Sequence, residues 1–489
     1  MAALLAPAGC ALILGLDEFT DAPPTSGGGG AAGGSGGSGG VGTPGAGGAG
    51  GTRGPVSGDA IWARIYGDEN TQTPAALAVD SDGNVIVAGD LMGTIQFGQQ
   101  TLISAGGEDV FLTKLDPDGN AIWARQFGDT SAQTAHGVAI DAAGNIFLTG
   151  YFQGTINLGD GILTNEGTEN GFVAKFDPAG GLLWSSHLVG PGSIRPADVA
   201  VDAATGDVIV GGDFTESIDF GNGSVTSSGA GDPDVFLVKL AGATGTSLWR
   251  RDYGDTSDQH LGAVAVDPAG NIVAGGYFRG EMTLGNTTLT GSSGANTAFV
   301  ARLDAAGNTS WAKSSGSAGG AMLFDVATDQ AGSIVVTGYV GGDIDLGCGN
   351  SRNEAGADAF LAKLTSVGHC SWSKTFPGDG DVFGTNVAID KDDQVIMAGY
   401  FDQTLYVDGD PLPGHLTYDM MLIRLTPGGA LSWAATLGDS GTESPASVAA
   451  VPGSSAILLA AFTNGVLDLG TETLTSAGSA DVVVTKLAP

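Results

Sequence analysis

Val110-Phe-Leu-Thr-Lys-Leu-Asp-Pro-Asp-Gly-Asn-Ala-Ile-Trp-Ala-Arg125 is the stretch of sequence that decides the fold of this chain. Two short runs rich in β-branched, aromatic and aliphatic residues flank Asp116-Pro-Asp-Gly-Asn120, whose residue types favour a tight turn. The stretch therefore predicts two antiparallel strands joined by a turn, with Trp123 inside the second strand.

The same pattern surrounds every tryptophan of the chain. Successive Trp residues are 61, 61, 65, 62, 61 and 61 positions apart. Self-similarity at a fixed period indicates a repeat architecture. The seven residues are Trp62, Trp123, Trp184, Trp249, Trp311, Trp372 and Trp433.

Each repeat contains four short β-like runs and no helical periodicity. In the repeat after Trp62 these runs are Ala76–Asp80, Val85–Gly89, Val110–Leu115 and Ala121–Arg125. Seven sets of four antiparallel strands predict an all-β, seven-bladed β-propeller. A solenoid is the alternative, but it needs distinct end caps, and the repeats show none.

The two ends of the repeat region predict how the ring closes. The region begins with a lone fourth strand, Ile61–Arg64, and ends after a third strand, Val482–Leu487. We therefore expect the N-terminal strand to join the last blade, which removes the free sheet edges. The first strand of every repeat carries Ala at its middle, as expected where blades converge on a narrow axis; these residues are Ala78, Ala139, Ala200, Ala265, Ala327, Ala388 and Ala449.

The repeat resembles the bacterial SBBP repeat, a seven-bladed β-propeller repeat of extracytoplasmic and cell-surface proteins. The residues that carry the resemblance include AIDAAGNIFLTGYF (139–152) and DVFLTKLDPDGNAIWARQFGD (109–129), and it covers about residues 61–489. It implies the propeller fold and export from the cytoplasm. It says almost nothing about activity, because a fold does not fix a function.

The N-terminal residues predict a signal or lipoprotein-like segment over 1–20 and a disordered Gly-rich linker over 21–60, ahead of the propeller at 61–489. Sixteen residues precede the first charge, Asp17, which suits the apolar region of a signal peptide. Ala8-Gly9-Cys10 resembles the end of a bacterial lipobox, and this implies lipidation of Cys10, although Pro7 and the lack of a preceding Lys or Arg depart from the pattern. The alternative is a plain signal peptide with a free or buried Cys10.

Composition excludes one class of partner. The chain has 489 residues, 85 of them Gly, and a net charge of -35. Nucleic-acid binding relies on Lys and Arg neutralising phosphates, so we expect no nucleic-acid partner.

The two rims of the predicted propeller differ in sequence. The turns between the first and second and between the third and fourth strands are short and regular, and we call that side the turn rim. The opposite side, the loop rim, carries the longer connections between second and third strands, each predicted to contain a small added hairpin, and the links between blades, such as Asp129–His136 and Asp255–His260. Variable loops on a rigid scaffold are the usual place for binding, so we expect any ligand on the loop rim or at the central mouth there.

No catalytic, cofactor or metal residues are predicted. Asp80-Ser-Asp-Gly-Asn84 and Asp116–Asn120 superficially resemble calcium loops, but an EF-hand loop has Gly at position six and Glu at twelve, so we interpret them as turns. Weak calcium binding by the acidic rim stays an alternative. The five His residues (His136, His187, His260, His369 and His415) share no zinc-like spacing.

Most cations have regular positions, which indicates structural roles. Seven lie at one register of the third strand, and five of these have an Asp five residues earlier, from which we predict ladder pairs within the strand. Five others lie two residues after a Trp, where we predict stacking on the indole; they are Arg64, Arg125, Arg251, Lys313 and Lys374. The third-strand cations are Lys114, Lys175, Lys239, Arg302, Lys363, Arg424 and Lys486, and the five acids are Asp109, Asp234, Asp358, Asp419 and Asp481.

Cys348 and Cys370 lie in one repeat, and in an exported protein such a pair usually forms a disulfide, the alternative being two buried thiols. We therefore expect an exported propeller, anchored by lipid at the outer membrane or cell surface, that acts as a non-catalytic binding or adhesion module for a glycan or protein ligand. Two alternatives stay open: a glycan-active hydrolase or lyase with its site at the central mouth, and a structural envelope protein without a small ligand.

Overall fold

The computed structural model describes residues 58–229, 231–292, 294–316, 319–349, 356–439 and 441–489. Cys10, the predicted segment 1–20 and nearly all of the predicted linker 21–60 lie outside the described residues. Within the described residues every regular element is a β-strand, and no helix has the length and hydropathy of a membrane span.

Seven four-stranded antiparallel sheets form the blades, and the predicted propeller is confirmed. Each blade has an inner, a second, a third and an outer strand, counted from the channel outward. Blade 1 contains β2 (Gln72–Val79), β3 (Val85–Leu91), β6 (Asp109–Leu115) and β7 (Ala121–Phe127). Blade 2 contains β8 (Gln133–Ile140), β9 (Ile146–Phe152), β12 (Asn170–Phe176) and β13 (Leu182–Leu188). Blade 3 contains β14 (Ile194–Val201), β15 (Val208–Phe214), β18 (Asp234–Leu240) and β19 (Ser247–Tyr253). Blade 4 contains β20 (Gln259–Val266), β21 (Ile272–Phe278), β24 (Thr297–Leu303) and β25 (Thr309–Ser315). Blade 5 contains β26 (Ala321–Thr328), β27 (Ile334–Val340), β28 (Asp358–Leu364) and β29 (Cys370–Phe376). Blade 6 contains β30 (Val382–Ile389), β31 (Val395–Phe401), β34 (Asp419–Leu425) and β35 (Leu431–Leu437). Blade 7 contains β36 (Glu443–Ala450), β37 (Ile457–Thr463), β40 (Asp481–Leu487) and β1 (Ala60–Tyr66).

Blade 7 closes the ring as predicted, because β1 pairs antiparallel with β40 near the C-terminus. Ala60 lies opposite Leu487, and Tyr66 lies opposite Val482. The first and last strands of the repeat region therefore complete one sheet, so that unfolding the ring requires the two chain ends to separate.

The predicted hairpins on the loop rim are present in six blades, but the described residues of the blade 5 connection form none. Six blades carry a two-stranded sheet between their second and third strands. The strands are β4 (Thr94–Phe97) with β5 (Gln100–Ile103), β10 (Thr155–Asn157) with β11 (Ile162–Thr164), β16 (Ser217–Asp219) with β17 (Ser224–Thr226), β22 (Glu281–Leu284) with β23 (Thr287–Thr290), β32 (Thr404–Val407) with β33 (Asp410–Pro413), and β38 (Val466–Asp468) with β39 (Thr473–Thr475).

In blade 5, the corresponding connection holds a disulfide between Cys348 and Cys370, whose Cα atoms are 5.3 Å apart. Cys370 begins the outer strand β29. The bond therefore ties the connection between the second and third strands to the outer edge of its own blade.

The hydrophobic core lies between blades rather than within one sheet. Ile86 and Leu112 of blade 1 pack with Leu148 and Phe172 of blade 2 in one such cluster. The second and third strands of blade 1 are buried along their whole length, since each sheet face contacts a neighbouring blade. This explains why these strands are continuous apolar runs rather than alternating patterns.

The repeated tryptophans join each outer strand to the next blade. The Trp62 indole N–H donates to the Pro117 carbonyl at 2.9 Å. Its ring lies beneath Gly119, where a Cβ would approach within 2.8 Å of the indole, and Gly119 has φ +79°. Five further blade pairs repeat the hydrogen bond, from Trp123 to Pro178, Trp184 to Gly242, Trp249 to Ala305, Trp311 to Ser366 and Trp372 to Pro427.

The third-strand cations do not form the predicted ladder pairs. Lys114 Nζ instead lies 2.9 Å from Asp80 in the turn between the first and second strands. Residues five apart on a strand face opposite sides and lie about 16 Å apart, which rules out an Asp109–Lys114 pair. The same cation-to-turn pair recurs as Lys175–Asp141, Lys239–Asp202, Arg302–Asp267, Lys363–Asp329 and Arg424–Asp390.

The acids of the predicted ladder pairs fix the loop rim instead. Asp109 accepts the backbone N–H of Ala105 at 2.9 Å, and Asp234 accepts that of Ser228 at 2.7 Å. The predicted stacking is confirmed for three arginines, because the guanidinium carbons of Arg64, Arg125 and Arg251 lie 5.8, 5.5 and 5.4 Å from the centroids of their Trp rings. The two lysines bind elsewhere: Lys313 donates to the Leu346 carbonyl at 3.1 Å, and Lys374 Nζ lies 2.7 Å from Asp408.

Gly119→Ala tests the contact between the Trp62 ring and the next blade. The positive φ of Gly119 costs an alanine about 1–2 kcal/mol, and the approach to the indole adds about 1–3 kcal/mol of overpacking. Gly453→Ala is the matched control, since Gly453 has φ +71° but no atom within 4 Å of a built Cβ. Urea unfolding should show a larger loss of stability for Gly119→Ala, and equal losses would contradict the role of the ring.

Cys348→Ser tests the disulfide. The bond closes a separation of 22 residues, for which the chain-entropy model gives about 3 kcal/mol of stabilisation. The variant should unfold at a lower temperature than the wild type under oxidising conditions and at the same temperature in reductant. Cys10→Ser is the control, and it should leave both melting temperatures unchanged.

Candidate functional site

The central channel is lined by the seven inner strands, which run from the loop rim to the turn rim. Their predicted Ala residues, such as Ala78 and Ala200, are partly buried and pack at the edges of the clusters between blades. One residue in each inner strand is a β-bulge, for example between Ala135 and Gly137 in β8. The bulge residue is His136 in blade 2 and Phe324 in blade 5, both partly exposed.

At the loop rim, the second residue of each inner strand pairs with the sixth residue of the second strand. These seven cross-strand pairs lie at the loop-rim ends of the inner strands, and we call them the mouth. Nine of the fourteen residues are buried. No two blades have the same pair, although the second-strand residue is Tyr in four of them and Asp in two. The seven pairs are Thr73–Asp90, Thr134–Tyr151, Arg195–Asp213, His260–Tyr277, Met322–Tyr339, Phe383–Tyr400 and Ser444–Phe462.

Blades 2 and 3 contribute a cluster of ionisable side chains to the mouth. Arg195 Nε lies 2.6 Å from Glu169 Oε2, and the Arg195 guanidinium carbon lies 5.5 Å from the centroid of the Tyr151 ring. The His136 ring lies 5.2 Å from the same Tyr151 ring. Arg195 and His136 therefore contact one aromatic ring.

These groups still have hydrogen-bonding capacity. The Arg195 side chain is 38% exposed, and neither of its Nη atoms donates to a residue that the structure describes. His136 Nε2 is buried and has no partner in the described part of the chain. Burial lowers the pKa of His136 to about 4, with a further lowering by Arg195, so the ring is neutral at neutral pH. Burial raises the pKa of Tyr151 to about 12, which keeps its hydroxyl protonated.

The acceptors beside Arg195 are already bonded. Asp213 Oδ1 accepts the Leu261 N–H at 2.7 Å, and Asp213 Oδ2 lies 2.8 Å from His260 Nδ1. Glu169 accepts from Arg195 and from Gln153 Nε2, the latter at 3.3 Å. The unused hydrogen-bonding atoms on this side of the mouth therefore include the Arg195 donors.

Blades 5 and 6 form the aromatic side of the mouth. The Tyr339 ring lies 5.7 Å from Phe324 and 5.1 Å from Phe383. The chain of contacts continues to Tyr400, whose ring is 5.0 Å from Phe383. Phe324 is the bulge residue of the blade 5 inner strand, and its ring is partly exposed, so it offers a surface on which an apolar ligand face can pack.

Two carboxyls lie on the channel wall one residue after the bulges of blades 3 and 5. Asp198 accepts the Val264 N–H at 2.9 Å, and Asp325 accepts the Val387 N–H at 2.7 Å, each in the next blade. Burial raises their pKa values to about 6 and about 8. In blade 6 the same position is Asn386, which donates to the Ala446 carbonyl at 3.0 Å. These contacts fix polar groups along the wall below the mouth.

Sequence reasoning placed His136 and His260 in links between blades, which is wrong, because both lie on inner strands, at the fourth and second residues. It also overlooked Arg195, Tyr151, Phe324, Asp198 and Asp325. A comparison of the inner strands position by position marks Arg195, Phe324, Asp198 and Asp325, since several other repeats have Ala, Gly, Ser or Thr at these positions. It does not mark Tyr151, which lies on a second strand where three other repeats also have Tyr.

The turns that superficially resemble calcium loops are occupied by protein contacts. Asp80 Oδ1 accepts the backbone N–H groups of Asp82 and Asn84 at 3.0 and 2.9 Å, and Asp80 Oδ2 faces Lys114. The described residues contain no group of three or more His, Cys, Asp or Glu side chains placed to hold a metal ion.

Comparisons with known proteins identify the repeat. Residues 122–151 match the family model SBBP, described as a beta-propeller repeat. These residues are therefore similar to an SBBP repeat. The resemblance found in the sequence is confirmed by this match and by the seven observed blades.

The chain is also similar to an uncharacterized WD repeat-containing protein, L264, of Acanthamoeba polyphaga mimivirus. The two are 29% identical over 425 residues, which is 71% of this chain and 30% of the viral protein. The chain thus spans less than a third of that relative's length.

Solved structures similar to this chain include a chain of the mitotic checkpoint complex (TM-score 0.47, 9% identity, 89% of this chain and 96% of that chain). Another is BamB from Moraxella catarrhalis (TM-score 0.35, 11% identity, 86% and 100%). A third is a catalytically inactive variant of virginiamycin B lyase from Staphylococcus aureus (TM-score 0.38, 9% identity, 87% and 99%). The strand pairing of the seven blades establishes the propeller fold, and these similarities are not needed for it.

Glu443→Gln tests how a buried carboxyl in a link between blades on the loop rim affects the stability of the fold. In blades 1, 2 and 4 a Gln side chain donates to the Asp four residues earlier, as Gln133 does to Asp129 at 2.9 Å. Blade 7 has Glu443 at this position, and burial raises its pKa from 4.5 to about 7. Between these values the folded protein holds a proton that the unfolded chain has lost, so wild-type stability falls as the pH rises through this window.

We expect Glu443→Gln to remove that fall and to melt a few degrees above the wild type at pH 8, with the difference shrinking toward pH 5. Gln133→Glu is the matched opposite change, and it should add a similar loss of stability with rising pH in blade 2. Parallel pH profiles of melting temperature for the wild type and Glu443→Gln would contradict the assignment.

Proposed function

We propose that the chain is an exported binding module, anchored to the cell envelope by lipid on Cys10, whose ligand docks non-catalytically at the mouth of the channel on the loop rim. One observation carries this proposal. Six of the seven blades repeat one cation–Asp pair at the turn rim, whereas all seven residue pairs at the mouth differ.

The contrast matters because every blade derives from the same repeat. A position that only supports the blade can be the same in all seven, as the Ala ring is. Thr134–Tyr151, Arg195–Asp213 and Phe383–Tyr400 occupy equivalent places in the scaffold, so the backbone does not require their different chemistry. Specific recognition of a ligand needs such differences, in the form of a few polar groups beside an apolar surface.

The similarity to a WD repeat-containing protein supports a scaffold for interactions. The proposed anchor has a separate basis in the sequence: a Gly-rich segment follows Cys10 and would hold the propeller away from the membrane as a flexible tether.

A glycan-active enzyme is the second candidate, and His136 is the residue that favours it. Its ring is neutral at neutral pH, its Nε2 has no partner among the described residues, and it lies beside Tyr151 and Arg195. A neutral imidazole that faces a ligand can act as a general base. Turnover of a bound glycan that is lost in His136→Ala would favour this candidate.

The experiment is a thermal-shift assay of the full chain against purified envelope polysaccharide and envelope protein fractions. A ligand that binds only the folded state raises the melting temperature. We expect one fraction to stabilise the wild type, and we expect Phe324→Ala to lose that shift. Lys391→Ala is the control, since Lys391 lies at the turn rim and pairs with its neighbour Asp392.

Stabilisation that Phe324→Ala and Lys391→Ala retain equally would place the ligand away from the mouth and contradict the proposal, as would the failure of every fraction to shift the melting temperature. The anchor is checked in a bacterial host by labelling with radioactive palmitate. The wild type should carry the label in the membrane fraction, and Cys10→Ala should carry none.

A further inference from the structure

We propose that hydrogen bonds between blades at the loop rim depend on a proton, which a buried aspartic acid of one blade donates to the next blade. The acid is the first residue of a third strand, and the acceptor belongs to the first residue of the next inner strand. Loss of the proton breaks the bond, so the ring is more stable in acid than after these carboxyls have ionised. The three acids are Asp109, Asp234 and Asp481. This inference concerns the scaffold and is independent of the ligand at the mouth.

One carboxyl oxygen of each acid has the same role in all three blades. It accepts a backbone N–H from the loop before the third strand, which fixes the orientation of the carboxyl group. All three side chains are almost fully buried. The bonds join the Oδ2 atoms of Asp109, Asp234 and Asp481 to the N–H groups of Ala105, Ser228 and Ala477.

The other oxygen, Oδ1, is also buried, and in each of the three acids it has no hydrogen-bond partner among the described residues. In blade 1 it faces an amide oxygen of blade 2, because a Cβ built on Gly128 would collide with both Asp109 Oδ1 and Gln133 Oε1. Two acceptor oxygens from neighbouring blades therefore lie beside one glycine. The equivalent group between blades 7 and 1 is Gly67, Asp481 and Gln72.

The glutamine does not supply the missing donor, because its amide is already fixed. Gln133 Oε1 accepts the Asp129 N–H at 3.0 Å, and Gln133 Nε2 donates to Asp129 Oδ1 and to the Gln153 carbonyl. An ionised carboxylate and an amide oxygen both only accept, whereas a protonated carboxyl has an O–H that donates. A proton on Asp109 Oδ1 therefore converts a contact between two acceptors into a hydrogen bond.

Blade 2 has an amide at the position of the three acids. Asn170 is the first residue of β12, and its Oδ1 accepts the Glu166 N–H at 3.1 Å. Its Nδ2, which takes the place of the second carboxyl oxygen, donates to the Gly190 carbonyl at 2.8 Å. Gly190 lies in the link to blade 3, so the scaffold accommodates a donor at this atom and uses it to bind the connection to the next blade.

The surroundings of the acids favour their protonated form. Burial raises the pKa of Asp109, the hydrogen bonds from Ala105 and Gln126 oppose this, and the nearby Asp129 carboxylate raises the pKa further. Burial likewise raises the pKa values of Asp234 and Asp481. The carboxylates that add to the effect are Asp252 and Asp255 for Asp234, and Asp68 for Asp481.

The sign of the pH dependence follows from these raised pKa values. Above the pKa of an unfolded aspartic acid, the folded chain still holds protons that the unfolded chain has lost. The stability that these groups contribute is therefore complete below this window and is lost as the pH rises through the folded pKa.

The test uses Asp109→Asn and Asp481→Asn in the full chain, because asparagine presents an N–H donor at every pH, as Asn170 does. Melting temperatures of the wild type and both variants are measured from pH 8 down to pH 4. We expect each variant to melt about 1–3 °C above the wild type at pH 8 and the difference to shrink as the pH falls. The general effect of the net charge of -35 is shared by all of these chains and is removed by the comparison.

Two further variants are the controls. Asp118→Asn removes one charge from an exposed position on the turn rim, and its pH profile should run parallel to that of the wild type. Asn170→Asp is the opposite change, and it should lower the melting temperature at pH 8 and lose this deficit in acid.

Parallel pH profiles of the wild type and both asparagine variants would overturn the inference, as would a loss of stability in Asp109→Asn that is equal at every pH. A calcium-dependent rise of the wild-type melting temperature at pH 8 that Asp109→Asn lacks would also overturn it, because a cation rather than a proton would then bind Oδ1. If the asparagine variants do not fold, the decision rests on Asn170→Asp, and a pH profile parallel to that of the wild type would contradict the inference.

Discussion

The contact between a tryptophan and the turn of the next blade is the interaction on which the ring depends. Each sheet buries both faces, so its stability comes from its neighbours, and a blade that slides along its neighbour would expose core side chains such as Phe111 or Phe172. The indole prevents sliding in two ways. Its N–H fixes one distance to a backbone carbonyl, and its ring fills the space that the missing side chain of a glycine such as Gly119 leaves open.

The contact of Trp433 differs from those of the other six tryptophans. Trp433 of blade 6 faces the junction between the chain ends, where the turn between third and outer strands is interrupted. Its Nε1 is buried without a hydrogen-bond partner among the described residues, and its ring lies 3.7 Å from a Cβ built on Gly58. The pairing of β1 with β40 and the Gly58 N–H bond to the Ala488 carbonyl hold this junction together. Closure therefore relies on strand pairing at the position where the tryptophan hydrogen bond is missing.

The sequence predicts the features that repeat, because repetition averages out the local ambiguity of a short strand. Seven Trp residues at a nearly constant spacing are enough to predict blade number, strand order and closure. The partners of the third-strand cations are harder to predict from the sequence. Lys114 and Asp109 are near in sequence, yet Lys114 binds Asp80, which is 34 positions away, since the second strand brings the first turn beside the end of the third strand. The mouth is harder to predict still, because Arg195 and Tyr151 come from different repeats and make contact only when blades 2 and 3 have packed together.

The channel acids show how a functional position differs from a structural one within a single repeat. Asp80 and its equivalents are buried beside a cation, and the bonds from Asn84 and Lys114 outweigh burial and lower the pKa of Asp80. Asp198 and Asp325 are also enclosed, but only backbone N–H groups bind them, and their pKa values are raised. An alanine, as in blades 1 and 4, fits the same position without that cost. Carboxyls at a position where alanine suffices for the fold therefore lower stability at neutral pH, because the folded protein disfavours their ionised form.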